Sequence, residues 1–326
     1  MDTTWARRLT TLTERFLTWR KRRHVRKKIK QQKKHVVRDW LEAFLWAAGV
    51  VLLINQYALQ AYRIPSGSMM NTLLLGDRIF VNKLVYGPEL LPGVVKLPGF
   101  AEPERGEVVI FENPSYISRG TAFDILQRIL YMVTLSIVDI DRDESGQPRA
   151  HFLIKRAVGV GGDRFRTREG ELQIRPPGEV DWIAEREFAL SVGLDYEIRR
   201  MVSEDLYAAY PTAGVAAART ELGLERDDDA QQVLSSVRQA GAVDPFELDL
   251  HRTRYLLKAN PHDERTAARE AYHRLGWYIP DDRVFPLGDN RDNSRDGRYF
   301  GAVGTQDVLG RAMVKYWPVN RIGAIR

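Results

Sequence analysis

HFLIKRAVGVGGDRFRTREGELQI, residues 151–174, carries the two patterns that decide the fold. HFLIKRAVGV (151–160) is a short apolar, partly β-branched run interrupted by a Lys-Arg pair, which reads as a strand. DRFRTREGELQI (163–174) reads as a hairpin with its turn at Glu169-Gly170. Working outward, GDRIFVNKLVYG (76–87), EVVIF (107–111) and RAMVKYW (311–317) read as further short strands. Together they predict a mainly β chain with an antiparallel, barrel-like sheet. Two segments break the pattern. FDILQRILYMVTLSIVDI (123–140), inside a variable insert at about 113–150, spaces apolar residues at 126, 129, 130, 133 and 137 as a helix does, and reads either as a helix packed on the sheet or as one on a membrane surface. Residues 184–278, with SEDLYAAY, AAARTELGLERDDDAQQVLSSVRQA and DERTAAREAYHRLGW, read as an inserted, largely helical subdomain with solvated faces.

The 326 residues hold 49 Lys or Arg against 43 Asp or Glu, a net charge of +6 that is unevenly spread. Residues 1–39 hold fourteen of the cations and only Asp2, Glu14 and Asp39, which leaves 35 against 40 for the rest. The basicity belongs to a tail, and no base-stacking aromatics accompany it, so nucleic acid is not expected as a partner. The absence of cysteine excludes disulfides, zinc-thiolate sites and a thiol nucleophile. WLEAFLWAAGVVLLINQYALQAY (40–62) follows the tail, and Ala43–Ala61 is free of charge with Trp40, Trp46, Tyr57 and Tyr62 near its ends. It reads as a transmembrane anchor rather than a secretory signal, whose charged segment would be unusually long and which would need a small-x-small cleavage pattern. The cations before it place 1–39 in the cytoplasm and 63–326 outside.

Three strings carry chemistry: PSGSMMNTLLLGD (65–77), IKRAVGVGGD (154–163) and PLGDNRDNSRDGRYFG (286–301). Singly each has an ordinary explanation: a Pro-Ser-Gly-Ser turn, a solvated Lys-Arg pair on a strand edge, and an Asx-turn network. Asp292, Ser294, Asp296 and Gly297 match the opening of a calcium loop, but its twelfth position, which requires a bidentate Glu, is Val303. The six histidines offer no ligand-like pair, so no metal is expected, and no Ser-His-Asp triad stands out.

In this order and behind an apolar N-terminal segment, the three strings resemble the bacterial type I signal peptidases, membrane-bound serine proteases that remove signal peptides. The likeness is concentrated in residues 63–87, 105–111, 151–170 and 280–318. It departs from the family at Asn71 and Gly161, where proline is common, and at Phe300, where tryptophan is frequent. The resemblance implies Ser68 as nucleophile and Lys155 as general base. It also implies an oxyanion hole from the Ser68 backbone N–H and the Ser66 hydroxyl, Ser294 orienting the lysine amine, and Asp296 with Arg298 as a supporting ion pair. Gly288, Asp289 and Arg291 read as scaffold.

Physical chemistry sets one condition on this pairing. A serine needs a base to take its proton, and lysine is a base only when neutral. At the ordinary pKa of ~10.4 roughly one lysine in a few thousand is neutral at pH 7, so the site must bury Lys155, and Phe152, Ile154, Ala157 and Val158 are the apolar neighbours in sequence. Ser68 also lies six residues beyond Tyr62, within about 20 Å of the membrane surface if the anchor ends there.

The resemblance therefore implies cleavage of secretory preproteins after a small-x-small motif, at a bacterial inner membrane in single-pass topology, without metal or organic cofactor. A LexA-like self-cleaving protease and a catalytically silent signal-sequence-binding homologue are the alternatives. The first is disfavoured by the apolar segment and the GDNRDNS string, and the second by Ser66, Ser68, Lys155 and Ser294 all being in place. Nothing in the sequence sets the oligomeric state.

Overall fold

The computed structural model of the chain describes residues 11, 13–15, 17–23, 25, 36–91, 95–134, 138–142, 146, 149, 151–225 and 227–325. Most of the basic tail, 1–39, lies outside them. Two compact units are present, Met1–Leu53 and Ile54–Arg326.

Helix α1, Val36–Tyr57, holds Trp40, Leu41, Phe44, Leu45, Trp46, Val51 and Leu53 exposed. The span expected over 40–62 is not what forms. The helix stops at Tyr57, and Leu59–Arg63 is strand β1, paired antiparallel with Arg78–Asn82, β2. The polar residues at the end of the segment explain the stop. Asn55 accepts from the Ala61 N–H at 3.3 Å, and the Gln56 amide donates to the Glu89 carbonyl at 3.5 Å, so both serve the β body. Among the described residues no helix is long and apolar enough to cross a membrane.

The remaining strands are β3 (Glu89–Leu91), β4 (Val95–Lys96), β5 (Val108–Glu112), β6 (Phe152–Gly159), β7 (Arg164–Arg168), β8 (Glu171–Arg175), β9 (Ile183–Ala184), β10 (Trp277–Tyr278), β11 (Arg283–Leu287), β12 (Val303–Gly304), β13 (Val308–Trp317) and β14 (Gly323–Ala324). Eight of the fourteen form one antiparallel sheet in the order β1-β2-β13-β5-β6-β11-β12, with β14 on β13. β7–β10 form a second sheet, and β3–β4 a small hairpin.

β5 shows why the main sheet is stable. Its side chains alternate into two cores, Val108 and Ile110 into one with Tyr62, Met69 and Ile79, Val109 and Phe111 into another with Ala157, Val284 and Val308. A strand buried on both faces is apolar throughout, which is what EVVIF is. The hairpin turns at Glu169 and Gly170, with φ of 48° and 77°, the paired positive values of a two-residue turn.

Helix α2, Thr121–Val133, ends before the 140 that the periodicity suggested, and residues 135–137 lie outside the described ones. Between β9 and β10 come α3 (Glu185–Ser191), α4 (Glu204–Tyr207), α5 (Tyr210–Glu221), α6 (Asp228–Gln239), α7 (Pro245–Ala259) and α8 (Glu264–Leu275). α5 and α6 pack through small residues, Ala213, Ala216 and Ala230, around Tyr210, Leu234 and Val237. Side chains of Asp227, Asp244 and Asp263 cap the starts of α6, α7 and α8. β10 returns the chain to β7 and restores the sheet before the third motif.

Candidate active site

The loop between β1 and β2 presents Ser68. Ile64 N–H donates to Asp77 O at 2.8 Å and Gly76 N–H to Ile64 O at 2.9 Å, closing the loop at its neck. Asp77 is fixed by Arg321 at 2.9 Å through both carboxylate oxygens. Inside the loop, Met69 and Leu73 are driven into the core, so the 3₁₀ turn Gly67–Met69 that carries Ser68 is pinned from below. Asn71 takes φ of 84°, which a proline ring cannot reach, so the asparagine goes with a different local backbone.

β6 brings Lys155 to this turn. The Lys155 Nζ donates to Ser68 Oγ at 2.7 Å and to the carbonyl of Ile154 at 3.0 Å. Lys155 is 3% exposed, and burial lowers its pKa to about 8, against a raising influence from Asp296 and then Asp289. The condition set by the sequence is met: at about 8, on the order of a tenth of the lysine is neutral at pH 7. Ser66 Oγ lies 3.4 Å from Ser68 Oγ, on the other side of Gly67.

The third motif packs behind Ser68. Asn290 N–H donates to Ser68 O and its side-chain amide to Gly67 O, each at 3.0 Å. Gly288 is required by closeness alone: a Cβ there would stand 2.2 Å from Ser294 Oγ and 2.6 Å from Ser68 O. Asp296 is fully buried, bound by Arg298 Nε at 3.0 Å and Nη2 at 3.1 Å, and it accepts the Gly288 N–H at 3.1 Å. Burial pushes the Asp296 carboxyl up, but the Arg298 charge and these hydrogen bonds prevail and hold it below the usual carboxylate range. Arg298 also donates to the Arg291 carbonyl.

Sequence reasoning thus finds Ser66, Ser68, Lys155, Ser294, Asp296 and Arg298 gathered around one turn. One expected bond is not formed: Ser294 is buried beside Gly288, yet among the described residues its hydroxyl has no hydrogen-bond partner, Lys155 included. Sequence reasoning also missed a second cluster. Arg156, 1% exposed, donates from Nε and Nη2 to Asp289 at 2.9 and 2.8 Å, and Thr72 joins both partners at 2.6 and 3.1 Å. The signal was available: in a strand buried on both faces, the residue beside Lys155 points into the opposite core rather than to solvent.

The chain is similar in sequence to known proteins. The family described as "Signal peptidase, peptidase S26" matches residues 37–188 and 222–317. The protein called Signal peptidase I of Haemophilus influenzae is 26% identical over 283 residues, covering 84% of this chain and 68% of its own. That of Aquifex aeolicus is 27% identical over 272 residues, covering 82% and 79%. That of Buchnera aphidicola subsp. Schizaphis graminum is 25% identical over 273 residues, covering 82% and 70%.

Proposed function

Because the chain belongs to the signal peptidase family, peptidase S26, we propose that it is a serine endopeptidase that removes signal peptides from secretory preproteins after a small-x-small motif, with Ser68 and Lys155 as its catalytic pair. The observation that carries this reading is the 2.7 Å contact between Lys155 Nζ and Ser68 Oγ, made by a lysine whose two acceptors among the described residues are neutral oxygens.

In the proposed reaction neutral Lys155 takes the Ser68 proton as Oγ attacks the scissile carbonyl carbon. Negative charge then develops on the carbonyl oxygen, where the Ser68 N–H and the Ser66 hydroxyl donate to it. Collapse of the tetrahedral intermediate breaks the C–N bond, and protonated Lys155 gives its proton to the departing amine. Water, deprotonated by the same lysine, then attacks the acyl-enzyme and releases the carboxylate and Ser68. Asp296 and Arg298 hold the turn at Gly288 against the nucleophile segment, and the Ser294 hydroxyl, unbonded among the described residues in the resting site, would accept from the amine only during turnover.

The reading includes a lipid partner. Helix α1 carries its exposed tryptophans, leucines and phenylalanine outside any core, as a helix in contact with lipid does, and the basic tail before it suits anionic head groups. The catalytic body would work on the extracytoplasmic face of a bacterial inner membrane. Replacing Leu41, Phe44 and Leu45 with serine should weaken co-flotation of the full chain with anionic vesicles, and protease accessibility in intact spheroplasts reads the side. For the chemistry, purified protein in liposomes is given a preprotein: wild type should release the signal peptide, and Ser68→Ala and Lys155→Ala should not. Unchanged cleavage by either variant, or none by wild type, overturns the proposal.

A further inference from the structure

The insertion reaches the nucleophile through residues 199–202, which lie between the two stretches matched by the family. Arg199 N–H donates to Asp289 O at 2.8 Å and Arg199 O accepts from Arg291 N–H at 3.0 Å, a parallel bridge to Asn290. Asn290 in turn holds the carbonyls of Gly67 and Ser68. Two hydrogen-bonded steps therefore connect the Arg199 backbone to the nucleophile.

The adjoining arginines have different fates. Arg200 is saturated: it lies within 3.1 Å of Asp292, is joined to Asp244, and Asp292 also accepts the Met201 and Val202 N–H groups. Arg199 is exposed, and among the described residues its guanidinium makes one hydrogen bond, Nη1 to Met70 Sδ at 3.5 Å, two residues past Ser68. A thioether is a weak acceptor and leaves most of a five-donor group unsatisfied. Glu197, also exposed and two residues back, makes no ion pair with it among the described residues.

We propose that Arg199 is a specificity-determining residue that receives an acidic side chain, Asp or Glu, among the first three residues on the mature side of the scissile bond. The assignment rests on the peptidase reading above. On the signal side two of the three residues next to the bond are small and carry no charge, so the departing segment is the one with side chains free to meet a guanidinium beside Met70. An exposed ion pair gives a modest preference.

The test measures kcat/KM for peptides with one shared small-x-small site and Ala, Asp or Lys at each of the first three mature positions. Wild type should prefer Asp over Ala at one of these positions by about three- to fivefold, and disfavour Lys there. The preference should shrink as salt is raised. Arg199→Ala should remove it while cleaving the Ala peptide as wild type does, Arg199→Lys should keep part of it, and Arg199→Glu should favour Lys. Equal cleavage of all three peptides, or an unchanged order in Arg199→Glu, overturns the inference alone. Failure of wild type to cleave the Ala peptide overturns the peptidase reading and this inference with it.

Discussion

Strand β6 carries two buried cations one residue apart, on opposite faces, and the fold treats them in opposite ways. Arg156 is given a bidentate carboxylate, a threonine and the Gly106 carbonyl, so its charge is fully answered. Among the described residues Lys155 receives two neutral oxygens and no ion pair. The two carboxylates that raise its pKa, Asp296 and Asp289, are each tied to an arginine. Pairing makes a cation structural, and withholding a partner makes it titratable near neutrality. The chemistry proposed at Ser68 needs the second kind.

The comparison breaks most completely if the two residue types are exchanged at the reactive face. Lys155→Arg keeps the charge but not the ability to lose it, because guanidinium stays protonated throughout the accessible pH range. Preprotein cleavage should fall by about 10⁴-fold or more, as it does when a nucleophile loses its base, and raising the pH should not restore it. Single-turnover assays across the pH range check this.

On the other face the damage should be to the fold. Arg156→Met leaves the buried Asp289 carboxylate with Thr72 as its remaining side-chain hydrogen-bond partner among the described residues, and removing one partner of a buried ion pair costs about 3–5 kcal/mol. Urea unfolding reads the loss, and adding Asp289→Leu should recover much of it. In the single variant the freed Asp289 charge would also favour protonated Lys155, moving the acid limb of kcat/KM upward. That limb should lie near about 8 in wild type, with activity rising as pH rises through it.

The lysine face sharpens the contrast with the opposite sign. Its folded pKa of about 8 lies below the ordinary 10.5, so protonation is disfavoured in the folded state. That destabilisation is complete below about 8, fades as pH rises, and is gone above 10.5. Lys155→Met should therefore stabilise the inactive protein by roughly 1–3 kcal/mol at pH 7, a gain that vanishes at high pH. Thermal unfolding at pH 7 and at high pH separates this from a packing effect.

How much of this was legible in the sequence follows from the same contrast. The strands at 107–111, 151–160 and 311–317 announce themselves because each must supply apolar side chains to a core, and the hairpin because its turn needs positive φ. The closeness of Ser68 and Lys155 was legible through the strings that hold them. The role of Arg156 was not, because a Lys-Arg pair looks the same whether its second member faces solvent or a core, and only the pairing of β6 with β5 and β11 decides which. The end of α1 was misread for a similar reason. Asn55 and Gln56 look like tolerable dilution of an apolar run until Ala61 N–H and Glu89 O give them partners.

The smallest expected effect belongs to Ser294, which sits between the two regimes. Its hydroxyl is buried and unpartnered among the described residues, and such a group costs about 1–3 kcal/mol. A residue kept only for structure would be better as alanine, since Gly288 already lies against its side chain. If the hydroxyl serves to accept an N–H from neutral Lys155 during turnover, Ser294→Ala should leave the melting temperature unchanged or raised while kcat falls about tenfold, the worth of one ~1.4 kcal/mol hydrogen bond. A fall in stability with kcat preserved would place Ser294 with Arg156 among the groups that hold the fold.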